Sequence, residues 1–363
     1  MARSDQDRYQ KEMAIRYAVA TDQVPFLEVL VPNKSEISDV EKRITDIDVM
    51  AIDLRHDGSI KKTIIDCKDR NKMSAINRSF WAAGLMQYTS SDQSIVILRN
   101  TPEEAHRLSA KQINVQLFDE TNFISFARSQ KIDFDKSNSY CSDIENWHKF
   151  EDIFLKWKVF SDIGTFMNCN VPLTKEYDKT FRGLISHLRH IRGELDPKKN
   201  EHMALYSNAV FCITFCISPL VNDFKNVFDP RHDRKQFESM LRYFIWGGRE
   251  SYLLRLKLKY NLSGGNNDTV EFELREWNRF LELFRTLLEA PTLIPECCLP
   301  AKEISFRNLD EISEEKDLRV KELLTKNKRI RQFLFSISEY TMRATGIPPE
   351  MHEQYENSIN EIM

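Results

Sequence analysis

The chain has 363 residues, 41% of them hydrophobic, and a formal net charge of −3 at pH 7. That balance excludes a strongly basic protein drawn to nucleic acid by its overall field, so any such binding must come from local patches. The length favours two or more domains and 23 phenylalanines leave ample material for cores, while seven cysteines without paired spacing and a charged start lacking an apolar leader fit a reducing, cytoplasmic setting.

Residues 5–20, DQDRYQKEMAIRYAVA, set Tyr9, Met13, Ile15 and Tyr17 at roughly helical spacing with charges between them. PFLEVLVP and, after an acidic loop, ITDIDVMAIDL read as strands; the second alternates Ile44, Asp46 and Asp48 with Thr45, Ile47 and Val49. HDGS at 56–59 is a turn with Gly58 suited to positive φ, and KKTIIDCK returns as the partner strand of a hairpin. Residues 74–88 read as a helix capped by Ser74, with Ile76, Phe80 and Leu85 near its apolar face. SIVILRN is a buried strand. TPEEAHRLSAKQ is a helix capped by Thr101 with Pro102 at its first position, INVQLFD is a strand and ETNFISFARSQ a closing helix.

The order α-β-β-β-α-β-α-β-α describes an α/β unit on a mixed sheet, with an antiparallel hairpin and later strands joined by helical crossovers. Polar residues 129–146 mark a boundary. Long amphipathic segments follow at 149–166, 179–192, 203–224, 236–258, 269–288 and 309–344, so the C-terminal half reads as all-α. The most apolar run, 208–221, is too short to span a bilayer and reads as a buried helix; no membrane association is expected.

The chemistry concentrates on the hairpin. Residues two apart on a strand share a face, so Asp66 and Lys68 stand side by side, and Asp48 can meet them from the neighbouring strand. Two carboxylates and the main-chain carbonyl of Cys67 make a hard oxygen site suited to Mg²⁺ or Mn²⁺. A lysine beside it can orient a water or neutralise developing charge. A solvated ion pair at a strand end is the plain alternative, but Ile64 and Ile65 mark a buried strand, where unpaired charge is costly. Asp46 reads as a surface acid. Glu28 and Glu41 are alternative third acids, and Arg78 and Gln87 on the next helix are further residues that can face the site.

D…(D/E)xK on a hairpin, after an N-terminal helix and before an α-β-α-β tail containing the IxVxLFD-like phrase at 113–119, resembles the PD-(D/E)xK nuclease superfamily. The nearest likeness is to Mrr-type restriction endonucleases and Holliday-junction-resolvase-like enzymes, over roughly residues 5–128. The resemblance implies a restriction-endonuclease-like mixed sheet flanked by helices, with Asp48 and Asp66 as metal ligands and Lys68 as the catalytic lysine. It places the acid of the first helix on Glu12, which no local motif fixes. Two departures stand out: Asp66 is one methylene shorter than the usual Glu or Gln before x-Lys, and no proline precedes the first acid.

The expectation is a nuclease domain over 1–130 and a helical domain over 147–363 for recognition or oligomerisation. The protein would hydrolyse phosphodiesters with Mg²⁺ or Mn²⁺, in DNA, for restriction, defence or repair, as a homodimer whose two sites cut both strands. The alternative is a non-catalytic nucleic-acid-binding or assembly protein that retains the fold, and the third acid discriminates the two. Within the helical half, Arg182 and His187 have a spacing that resembles HEPN-type ribonucleases, against the bland reading of a solvated helix face. Cys212 and Cys216, one helical turn apart in an apolar run, read as core, and Cys297 and Cys298 as structural. Basic stripes at 316–332 and at Arg242, Arg249, Arg255 and Lys257 read as solvated faces or as tracks for a phosphate backbone.

Overall fold

The structure, a computed structural model, describes residues 7–33, 42–68, 74–136, 138–262 and 274–363. Its N-terminal part follows the expected order: α1 (Arg8–Ala20), β1 (Val24–Pro32), β2 (Arg43–Leu54), β3 (Ile60–Lys68), α2 (Ala75–Thr89), β4 (Gln93–Leu98), α3 (Glu104–Gln112), β5 (Val115–Asp119) and α4 (Glu120–Gln130). The five strands form one mixed sheet in the order β1-β2-β3-β4-β5. β1, β2 and β3 are antiparallel neighbours, while β4 and β5 run parallel to β3. The tight β2–β3 connection depends on Gly58, whose φ of 87° suits glycine. A Cβ there would also lie 2.6 Å from the Cβ of Asn222. Asp57 completes the turn by accepting from the Ser59 amide at 2.8 Å.

Residues 47–52 of β2 and 62–67 of β3 are buried without a break. Two-periodic alternation cannot produce that pattern unless both faces are covered. The crossovers α2 and α3 share one face, as right-handed connections between parallel neighbours require, and α1 meets α4 through Tyr17 against Phe123 and Phe126.

Local details depart from the sequence reading in two places. Phe80 is 58% exposed, and α2 instead buries Ala75, Ser79, Ala82, Leu85, Met86 and Thr89. Small residues at three- and four-residue intervals let the helix lie close to the sheet, and a large side chain one position out of phase is turned outward. Helix α3 starts at Glu104 with Glu103 as its cap. The Thr101 hydroxyl is bonded to Asp119 instead, and Asp119 in turn caps α4 by accepting from the Asn122 amide at 2.9 Å.

From residue 144 the chain is largely helical: α5 (Ile144–Lys156), α6 (Ser161–Thr165), a π-helical turn (Phe166–Asn170), α7 (Val171–Leu173), α8 (Tyr177–Ile191), α9 (Asn200–Val227), α10 (Arg234–Ile245), α11 (Arg249–Leu262), α12 (Trp277–Leu288), α13 (Ile294–Arg307), α14 (Glu314–Thr325), α15 (Lys328–Thr345) and α16 (Pro349–Ile362). The segment read as 236–258 is broken by Gly247 and Gly248, both at positive φ. Helix α9 is long and apolar enough to cross a membrane, but its apolar stretch is wholly buried within the protein. All seven cysteines are free and buried.

The helices and the sheet share a continuous hydrophobic core. Phe26 of β1 packs against Phe211 and Phe215 of α9. At the same junction the Lys302 ammonium, on α13, donates to Asn208 Oδ1 at 2.8 Å and lies 4.8 Å from the Phe211 ring centre, 4.9 Å from Trp147 and 5.1 Å from Phe26. Full burial pushes its pKa down to about 8.

Candidate metal centre and its cleft

Strand pairing lines up the acids. In β1–β2, Leu27 faces Val49 and Val29 faces Ile47, so Glu28 stands opposite Asp48; the β2–β3 pairs Val49–Ile65 and Met50–Ile64 continue to Asp48 opposite Asp66. Three carboxylates therefore form a row across three adjacent strands. Glu28 leaves the strand conformation at this point, with φ 52°. A left-handed backbone at a residue with a Cβ costs ~1 kcal/mol or more, and such strain collects at functional positions. The carboxylate oxygens of Glu28, Asp46 and Asp48 lie within 4.8 Å of one another, a group able to hold a metal ion.

Cations enclose the acids. Lys11, from α1, is ion-paired with Glu28 and stands 4.0 Å from Asp48. Lys68 reaches Asp48 at 2.7 Å, Asp66 at 3.4 Å and Asp7 at 3.9 Å. Arg78, in the first turns of α2, donates to both oxygens of Asp66, and Arg43 lies 3.1 Å from Asp46. The amide of Cys67 donates to Asp48 at 2.8 Å.

Burial raises the pKa of Asp48 to about 6; Lys68 pulls it down and the Asp66 charge pushes it up. Burial alone would lower Lys68, but Asp66 and Asp48 outweigh it and hold the ammonium above its ordinary value. Asp46 is pushed up by burial and brought below the usual carboxylate range by Arg43 and by hydrogen bonding with Glu28. Burial, then the charges of Asp48 and Asp66, keep the Cys67 thiol well above its ordinary pKa, so it is not a thiolate at neutral pH.

A cleft of about 990 Å³ opens in front of the acids. On one side are Lys11, Glu28, Asp46, Asp48, Lys68 and Arg78; on the other stand α5, α6 and the π-helical turn. No family model, curated protein or solved structure matches this chain. Fold and site therefore rest on geometry alone: a mixed five-stranded sheet with helices, carrying an acidic cluster that can hold a metal ion.

Of the residues singled out from sequence, Asp48, Asp66 and Lys68 come together, joined by Arg78. Glu12 is paired with Arg16 one turn along α1 and does not line the cleft. Gln87 is exposed near the far end of α2, and Glu41 lies outside the described residues. Asp46, which reads as a surface acid, is half-buried within the cluster. Lys11 escaped notice, although a signal exists: it shares a helical stripe with Ala14, Ile15 and Ala18, all buried, and a lysine in such a stripe needs a carboxylate partner. In the helical half, Arg182 packs on Trp246 and donates to the Ile245 carbonyl, while His187 packs on Phe166. Different elements engage the two, and they form no common site.

Proposed function

We propose that this protein is a metal-dependent phosphodiesterase, a nuclease acting on DNA, with its chemistry in residues 1–130 and recognition or assembly in 147–363. The observation that carries the reading is the convergence of Glu28, Asp46 and Asp48 beside Lys68 at the end of a buried strand. The donor set fits a hard divalent cation, Mg²⁺ or Mn²⁺, since every side-chain ligand atom is a carboxylate oxygen.

In this reading Glu28, Asp46 and Asp48 hold the cation, with Asp66 and the Cys67 carbonyl as the further donors the hairpin provides. A cation there supplies Lewis-acid polarisation of a phosphoryl oxygen and lowers the pKa of a bound water. Glu28 takes the part of the third acid because Glu12 faces Arg16. Lys68, 2.7 Å from Asp48, stands where its ammonium can act as a positive charge against the developing phosphorane oxygens. Lys11, Arg43 and Arg78 line the same cleft, each paired with an acid of the site, so the added charge of a bound cation is what would favour an anionic substrate.

A second reading, a nucleic-acid-binding protein without cleavage, draws on Arg78, which occupies both oxygens of Asp66. The two are separated by incubating the protein with plasmid, single-stranded DNA and RNA in Mg²⁺, Mn²⁺ or EDTA, beside Asp48→Asn and Lys68→Ala, with Mn²⁺ binding followed by electron paramagnetic resonance. The nuclease reading expects Mn²⁺ binding lost in Asp48→Asn, and metal-dependent cleavage reduced at least about a hundredfold in both variants. Binding of nucleic acid with neither Mn²⁺ uptake nor cleavage establishes the second reading.

A further inference from the structure

The wall of the cleft that faces the acids has a different chemistry. Beside His148 and Glu151 of α5 it carries Phe154 and Leu155 from the same helix, Thr165 from α6 and Asn168 from the π-helical turn. Phe154 is half-buried, held edge-on by Phe150, and Leu155 is 63% exposed. Gly164 gives the Phe154 ring its seat: a Cβ at that position would stand 2.5 Å from a ring carbon. Asn168 and Thr165 line the cleft, and neither side chain is engaged by another described residue. A carboxamide offers two donors and an acceptor, a hydroxyl one donor with two lone pairs. The π-helical turn that presents Asn168 is a rare backbone form frequent at functional positions.

An apolar ring beside unengaged amide and hydroxyl groups matches the demands of a nucleobase, which presents a π-face and a hydrogen-bonding edge. The opposite wall carries Lys11, Lys68 and Arg78, cations of the kind a phosphate takes as partners, here each paired with a carboxylate. We infer that the cleft takes a single nucleotide unit of a strand, with the phosphate at the acid-and-lysine wall and the base against Phe154 and Asn168, so that the substrate is single-stranded nucleic acid. A paired base has its edge engaged and its faces stacked, and cannot present either to the helical wall unless it leaves the duplex. This inference rests on the phosphodiesterase reading for the position of the phosphate, but strand preference and cleavage are separable.

The test is fluorescence anisotropy with the full chain in Ca²⁺, using a short labelled single strand, as DNA and as RNA, and the same DNA sequence as a blunt duplex. Wild type is compared with Phe154→Ala and, as the change least able to disturb folding, Asn168→Ala; thermal melting checks that both fold. The expected result is a single strand bound at least about tenfold more tightly than the duplex, with that affinity falling about tenfold in Phe154→Ala and several-fold in Asn168→Ala. Duplex bound as tightly as single strand, or single-strand affinity unmoved in both variants, overturns the inference. A parallel Mg²⁺ arm keeps the two readings apart. Strand preference without cleavage counts against the phosphodiesterase and leaves this inference standing, whereas equal cleavage of duplex does the reverse.

Discussion

Lys302 offers a test of the packing between sheet and helices, because its cost is written in its pKa. The side chain is fully buried among aromatic rings with one hydrogen bond, to Asn208, and its pKa falls from 10.5 to about 8. At ~1.4 kcal/mol per pH unit, that fall corresponds to ~3 kcal/mol of native-state penalty on the charged form. For a base with a depressed folded pKa the penalty is complete below pH 8. Between about 8 and 10.5 the unfolded chain holds a proton that the native protein has released, so this residue adds stability as the pH rises. The buried thiols Cys67, Cys141, Cys216 and Cys297, whose pKa values are raised by burial, act in the opposite direction. They remain protonated in the native state after the unfolded thiols have ionised, so they lower stability in the same window.

The informative quantity is therefore the difference between wild type and Lys302→Met, in which Cys67, Cys216 and Cys297, thiols that the lysine charge does not shift, cancel. Methionine fills similar space and removes the charge, leaving the Asn208 oxygen without its donor, a cost of ~1–3 kcal/mol. At pH 7 the variant should match or exceed wild type. Between pH 7.5 and 10.5 its relative stability should drop by ~3 kcal/mol. Urea titrations followed by circular dichroism at several pH values measure this. A difference constant within ~0.5 kcal/mol across that range would refute the reasoning, since it would mean that the ammonium is solvated in the native state.

Two further perturbations probe the site and its scaffold. Arg78→Met leaves the buried Asp66 carboxylate with Lys68 as its remaining ion-pair partner, and should cost ~3 kcal/mol in urea unfolding, largely recovered in the double variant Arg78→Met/Asp66→Asn. Gly58→Ala imposes a Cβ at φ 87° and only 2.6 Å from that of Asn222, and should lower stability by ~2 kcal/mol with the Mn²⁺ affinity unchanged, because the turn lies at the opposite end of the hairpin from the acids.

The sheet was legible because each of its elements carries its own local signal. Alternation in ITDIDVMAIDL, the HDGS turn and the Ser74 cap name their structures without help from distant residues. The helical half was legible in type and less so in boundaries. Helix α13, between the segments 269–288 and 309–344 read from sequence, carries Pro295 in its first turn and Pro300 within it, and the sequence does not reveal that burial on every side offsets a missing hydrogen bond. At the site, Asp48, Asp66 and Lys68 could be read from hairpin spacing. Glu28 could not be separated from Glu41, because its place in the cluster depends on the β1–β2 register and on a left-handed backbone that no residue type announces. Arg78 pairs with a residue twelve positions away through a tertiary turn that periodicity leaves undecided.

The row of carboxylates is shared among β1, β2 and β3, one from each strand. A slip of a single residue between any two of them would send one acid to the other side of the sheet. The set able to hold a metal ion, Glu28 from β1 with Asp46 and Asp48 from β2, is carried by neither strand alone, so it exists only in a chain whose β1 and β2 are correctly aligned. An ion captured there would by mass action stabilise that alignment over its misregistered competitors, by RT ln(1 + [ion]/Kd). Mn²⁺ uptake during refolding would then report the moment at which β1 docks, and the centre would act as a checkpoint on strand order.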